Sequence, residues 1–143
     1  MEGPFDGVLA FSTGAALAAT LIIRESESGR GPNQHSFPPS FKCAIFLSGG
    51  IPFNTAALLR DEVRTLTAAD GELIQIPTAH IWGSNDTLCP GTSITLSRVC
   101  NARLRESFIH DGGHEVPTSR SKDKLARTVH TIRRTIDKAL SAQ

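Results

Sequence analysis

"GVLAFSTGAALAATLII", residues Gly7–Ile23, decides how the rest of the chain is read. Val8, Leu9, Ala10 and Phe11 have the length and apolar content of a short buried strand. From Ala15 onward alanine and leucine dominate and suit a helix. Only Ser12-Thr13-Gly14 lies between the two. A connection that short is a sharp strand-to-helix turn, which pushes the side chain at its apex out of the packed layers. A serine there is either a small turn residue or a nucleophile, and the remaining chain must discriminate.

Working outward, three more strand patterns alternate with helices. A helix from about Thr13 to Ser26 leads to a Gly-, Pro-, Ser- and Asn-rich loop, Ser28–Ser40. Phe41–Ser48 (FKCAIFLS) is an almost unbroken apolar run, the signature of a strand covered on both faces. Gly49-Gly50-Ile51-Pro52 signals a turn, and Ala56–Leu66 reads as a short helix. Leu73–Trp82 holds the third strand, which begins after Pro77 because proline is poorly tolerated in a central strand. Gly83–Pro90 is a loop, Thr92–Leu104 a helix, and Leu104–Ile109 a weaker strand interrupted by Arg105, Glu106 and Ser107. In the last helix Leu125, Val129, Ile132, Ile136 and Leu140 fall at spacings of four, three, four and four, one apolar stripe. Its other face, with Lys122, Lys124, Arg127, Arg134 and Lys138, reads as solvated. The alternation predicts an α/β class, three α/β/α layers on a mostly parallel sheet.

With 143 residues the chain is expected to form one domain, and a net charge of +1 argues against nucleic acid or anionic membrane as partner. Cys43, Cys89 and Cys100 lack zinc-ligand spacing, and their odd number argues against a disulfide scaffold. No metal or other cofactor is expected, since neither a phosphate-binding glycine loop nor a dinucleotide fingerprint is present. With no membrane-length apolar run and no signal-peptide pattern at Met1-Glu2-Gly3-Pro4, the expected compartment is the cytoplasm. The sequon Asn85-Asp86-Thr87 carries no weight there.

Reactive groups of parallel α/β sheets gather beyond the carboxyl ends of strands. Ser12 follows the first strand, Asp86 the third and His114 the fourth, in the order serine, acid, histidine. The chemistry requires this trio, because a hydroxyl is a weak nucleophile until an imidazole takes its proton. A carboxylate then holds the imidazole tautomer and steadies its charged form. Each residue has a plain alternative. Ser12 can be a turn residue, and Asp86 can cap the loop before Pro90. Asp70 precedes a strand and Asp111 shares the loop of His114; among the histidines His35, His80 and His130 are poorly placed, and His110 is the serious competitor to His114. Gly112-Gly113 is expected to give the backbone freedom to return His114 over the sheet.

Four ordered blocks, GPFDGVLAFSTGAALAA (Gly3–Ala19), FKCAIFLSGGIP (Phe41–Pro52), PTAHIWGSNDTLCP (Pro77–Pro90) and HDGGHEVP (His110–Pro117), resemble the FSH serine hydrolase family. The resemblance implies an α/β-hydrolase fold, with residues 1–143 a partial, N-terminally truncated domain of that type. It implies Ser12 as nucleophile, Asp86 as acid, His114 as base and the backbone N–H of Thr13 as an oxyanion donor. Ala10 stands where the family's Gly-x-Ser-x-Gly elbow has its first glycine. The portion that supplies a second oxyanion donor and a neighbour for the first strand is not represented, so that strand is expected to be an open apolar edge.

The function expected from these residues is a serine hydrolase of small acyl esters or thioesters, and the resemblance implies carrier-protein-bound substrates and polyketide release in secondary metabolism as one form. Phe53, Leu58 and Leu59 are the candidate acyl pocket, on a segment Gly49–Ala69 that shares that role with Arg24–Ser40. The competing reading is a weak or inactive homologue that binds a partner or a second copy through the open edge. Cysteine chemistry at Cys89 is a third and weaker one.

Overall fold

The computed structural model describes residues 5–28 and 40–142. Four strands, β1 (Gly7–Phe11), β2 (Cys43–Leu47), β3 (Thr78–Gly83) and β4 (Arg105–His110), form one sheet in the order β1-β2-β3-β4. Every neighbouring pair is parallel. The helices are α1 (Thr13–Ser28), the single turn α2 (Thr55–Leu58), α3 (Thr92–Arg98) and α4 (Lys122–Ser141). β2 and β3 are buried at every position: β2 is an unbroken apolar run, while β3 takes Thr78 and His80 inside with its apolar residues.

The alternation of side chains along β2 separates two cores. Ala44 and Phe46 point to one face and pack with Ala15, Ala19, Ile22 and Ile23 of α1 and with Leu96 of α3. Ile45 and Leu47 point to the other, with Ala79, Ile81, Phe108 and Ile132 of α4. The result is three layers, α1 and α3 on one side of a parallel sheet and α4 on the other. This is the predicted α/β/α class, with the carboxyl ends of all four strands at one edge.

Three sequence expectations need correction. The helix expected over Ala56–Leu66 is only Thr55–Leu58, capped by the Asn54 side chain, which accepts from the Ala57 N–H at 2.8 Å. Asp61 takes φ 58° and turns the chain back, so that Phe53 bridges antiparallel to Thr65. The helix expected to reach Leu104 stops at Arg98, because the Val99 carbonyl accepts from the Leu73 and Ile74 N–H groups at 2.8 and 3.0 Å. Those bonds divert the backbone into a lateral contact that local periodicity does not encode.

The third correction concerns the face of α4. Its buried residues are Thr128, Thr131, Thr135 and Ala139, while Val129, Ile136 and Leu140 of the apolar stripe are exposed. The basic flank sets this rotation. Arg134 and Lys138 pair with Glu106, the Arg127 guanidinium lies 4.4 Å from the centroid of the Phe108 ring, and Lys124 pairs with Asp111. With the cations drawn to β4, the threonines meet the sheet. Their hydroxyls donate to carbonyls one turn back (Thr128 to Lys124, Thr131 to Arg127, Thr135 to Thr131), so no hydroxyl is buried unpaired. The apolar stripe lies about a quarter turn from that face, on the flank away from β4.

Among the described residues, β1 is bare on the same side. Leu9 and Phe11 pair in register with Ile45 and Leu47, which places them on the α4 face, yet they are 61% and 41% exposed. The α4 layer therefore stops short of the β1 edge.

Candidate active site

The Ser12 turn is held by the strand beside it. Its N–H donates to the Leu47 carbonyl at 3.0 Å, and its own carbonyl accepts from the Gly50 N–H at 3.0 Å. Between these anchors Ser12 takes φ 53°, a strained left-handed conformation for a side-chain-bearing residue. The strain lifts its Oγ above the carboxyl edge of the sheet. A Cβ on Gly50 would lie 3.1 Å from the Ser12 carbonyl oxygen and 3.2 Å from the Ala16 side chain, so this glycine allows the close approach. Ala10, by contrast, is accommodated half-buried in β1.

The structure brings the three strand-end residues together. His114 Nε2 lies 2.8 Å from Ser12 Oγ, and His114 Nδ1 lies 2.7 Å from Asp86 Oδ2. His114 and Asp86 are largely enclosed, with side chains 11% and 7% exposed. Phe11 covers the imidazole, its ring centroid 5.1 Å away and tilted by 52°. Asp86 does cap its own loop as well, because its Oδ1 accepts from the N–H groups of Leu88 and Cys89 at 3.0 and 2.9 Å. Burial pushes its carboxyl up, but the Cys89 N–H, His114 and the Leu88 N–H outweigh that and hold it below the usual carboxylate value. Asp86 thus carries negative charge where an imidazolium would need it.

Loop 111–115, which carries His114, is fastened by three hydrogen bonds from two residues. Asn85 donates to it twice, from its backbone N–H to the Gly112 carbonyl at 3.0 Å and from its side-chain amide to the Asp111 carbonyl at 2.7 Å. The amide of the Asn85 sequon is thereby engaged. Ser48, itself at φ 45°, donates from Oγ to the Glu115 carbonyl at 3.3 Å. Neither Gly112 nor Gly113 has a positive φ; what Gly112 supplies is room, since a Cβ there would lie 2.9 Å from His110 Nδ1. His110 sits beneath this loop and not against Ser12.

At the head of α1 the N–H groups of Thr13 and Gly14 have no acceptor among the described residues. They flank Ser12 and suit a developing oxyanion. The candidate pocket residues do not enclose a site. Phe53 is tied into its loop, its N–H donating to Thr20 Oγ1 at 3.0 Å, while Leu58 and Leu59 stand exposed, Leu59 at 80%. Residues 29–39 of the other pocket candidate, and His35, lie outside the described residues. Cys89 has no imidazole left to activate it, because both nitrogens of His114 are taken. Burial raises the thiols of Cys43 and Cys100, the latter to about 12, so both are inert. Among the described residues no cluster of His, Cys, Asp or Glu is arranged to hold a metal ion, and no helix is long and apolar enough to cross a membrane.

The family profile described as Serine hydrolase (FSH1) matches residues 1–125. Esterase FPY3 of Fusarium mangiferae is 39% identical over 137 residues, which span 92% of this chain and 58% of that esterase. Esterase alnB of Emericella nidulans is 27% identical over 184 aligned positions, 82% of this chain and 62% of its own. A crystal structure of the Bacillus cereus carboxylesterase covers 89% of this chain and 49% of its own at 16% identity, with a TM-score of 0.46. The chain thus spans a little over half the length of the two curated relatives.

Proposed function

The chain belongs to the serine hydrolase (FSH1) family, and from that premise we propose that it cleaves acyl esters or thioesters through an acyl-enzyme on Ser12. One observation carries the reading: Asp86, His114 and Ser12 form an unbroken line of hydrogen bonds of 2.7 and 2.8 Å. Ser12 Oγ bonds to the substrate carbonyl carbon while its proton passes to His114 Nε2. Asp86 keeps the Nδ1 proton in place and steadies the imidazolium. The tetrahedral oxyanion draws on the Thr13 N–H. Its collapse breaks the bond to the alcohol or thiol, which leaves with the proton from His114. A water, deprotonated by the same nitrogen, then releases the acid and restores Ser12.

Fluorophosphonate labelling located by mass spectrometry tests this. The adduct is expected on Ser12, and Ser12→Ala and His114→Ala are expected to abolish it; an adduct elsewhere, or none, overturns the reading. The family resemblance puts a second oxyanion donor on an N-terminal portion outside these residues. A form carrying it is expected to turn over acyl thioesters about 10² times faster or more. Names such as esterase FPY3 and esterase alnB favour small acyl esters. Polyketide release and a carrier-bound substrate are the finer forms of the proposal, and a panel of free and carrier-linked acyl thioesters separates them.

The bare β1 edge favours a second role, association through Val8–Phe11. Light scattering is expected to show complexes that Leu9→Lys disperses. A monomer before and after that substitution removes this second role and leaves the first intact.

A further inference from the structure

His110 lies within the site region but takes no part in the proposed chemistry. It ends β4, is 3% exposed, and pairs across the sheet with Gly83. Its Nδ1 accepts from the Gly112 N–H at 3.1 Å, two residues on. Its Nε2 is buried with no hydrogen-bond partner among the described residues. An acceptor at Nδ1 requires that nitrogen to be unprotonated, so the ring proton sits on Nε2. That tautomer is unusual in leaving a buried donor unpaired, which costs stability. The bond to Gly112 is therefore made in spite of an unfavourable neighbouring atom.

The peptide it grips is the critical one. Gly112 is two residues before His114, and the Gly112 carbonyl is held from the opposite side by the Asn85 N–H. His110 and Asn85 thus hold one residue, Gly112, by its N–H and by its carbonyl, and Asn85 adjoins Asp86. The clamp sets the spacing between the loop that carries the base and the loop that carries the acid. Resting on the reading of Ser12, Asp86 and His114 given above, we propose that His110 is a positioning residue: its bare Nδ1 holds the Gly112 amide and so keeps the His114 imidazole aligned between Ser12 and Asp86.

A proton on His110 would set N–H against N–H at Gly112 and release the clamp. The charged groups facing His110 are Glu115 and Asp111 of its own loop and Lys124 from α4; from β3 it meets only Gly83, and no charge. Burial, with Lys124 adding to it, holds the imidazole below its ordinary value against the pull of the Glu115 carboxylate, of Asp111 and of the Glu115 backbone carbonyl. Loss of reactivity in acid then has two sources, protonation of the base itself and release of its loop.

Two variants separate the hydrogen bond from mere bulk. His110→Asn keeps an acceptor in the geometry of an Asx turn and cannot ionise, whereas His110→Leu keeps bulk without an acceptor. At pH 7.5 His110→Leu is expected to label with fluorophosphonate at least about tenfold more slowly and His110→Asn within about threefold of the parent. Between pH 8 and 4 the parent's log rate is expected to steepen toward a slope of two, and that of His110→Asn to stay at one. The low-field Nδ1 proton of His114 in the NMR spectrum, which needs no turnover, is expected in the parent and in His110→Asn but not in His110→Leu. Equal labelling in all three proteins, or equal loss in both variants, overturns the proposal. If His110→Leu does not fold, the slopes of the parent and His110→Asn decide, and equal slopes overturn it. If the parent itself does not label, the catalytic reading fails, and the His114 proton signal alone decides the role of His110.

Discussion

Ser12, Asp86 and His114 each depend on a neighbour that no motif names. Gly83 is one such neighbour. A Cβ there would fall inside contact distance of the Gly112 and Gly113 carbonyl oxygens, which are backbone atoms and cannot swing aside. Gly83→Ala is expected to cost about 1–3 kcal/mol as an overpacked site and to slow Ser12 labelling. Denaturant unfolding alongside the labelling rate measures both effects. At Asp86 the expectation is the reverse, chemistry lost before stability. Asp86→Asn leaves the shape of the loop but offers His114 the wrong partner, so labelling is expected to fall about 10³–10⁴-fold. The pH sign follows from the depressed carboxyl. The stability Asp86 contributes is fully present above its unfolded value and is lost as pH falls through its lower folded value. Asp86→Asn should therefore flatten the acid end of the stability curve.

α4 shows where an element departs from its pattern. Threonines on its sheet-facing side carry their own satisfied hydroxyls, and Val129, Ile136 and Leu140 face out. Leu140→Lys is thus expected to change stability by less than about 0.5 kcal/mol, whereas Thr135→Lys buries a charge on the sheet and unfolds the helix from it. Thermal melts of the two variants distinguish this rotation from one that buries the apolar stripe. The stripe was legible in the sequence, but its orientation was not, because a moment ranks faces by hydropathy and ignores Glu106, Phe108 and Asp111 on a distant strand. The same limit explains α3, which ends where non-local backbone bonds take over, whereas α2 ends in the local turn at Asp61. The strands were read more truly, since burial on both faces needs an unbroken apolar run, as in Cys43–Leu47. The site was legible as three strand ends in order. His110 was not, because its role lies in which peptide its ring touches.

The fully buried His80 connects the interior to the whole molecule's response to acid. Its Nε2 meets Thr78 Oγ1 at 3.0 Å, its Nδ1 has no partner among the described residues, and burial, aided by Arg105, pushes its pKa down to about 3. Folding then favours the neutral ring. Its contribution is complete above the unfolded value of about 6.5 and drains away down to about 3. The slope over that window is about 1.4 kcal/mol per pH unit. His80→Leu is expected to remove most of it, and urea unfolding at pH 7 and pH 5 measures the difference. The unbroken order β1-β2-β3-β4 has a consequence for a chain emerging from the ribosome. Each strand pairs with the one made just before it, so the sheet can grow vectorially, without waiting for a distant partner. On the proposed reading, Ser12 and the histidine that would activate it lie 102 residues apart. On that reading the hydroxyl stays unactivated until β4 has docked, so covalent capture of Ser12 would report that docking.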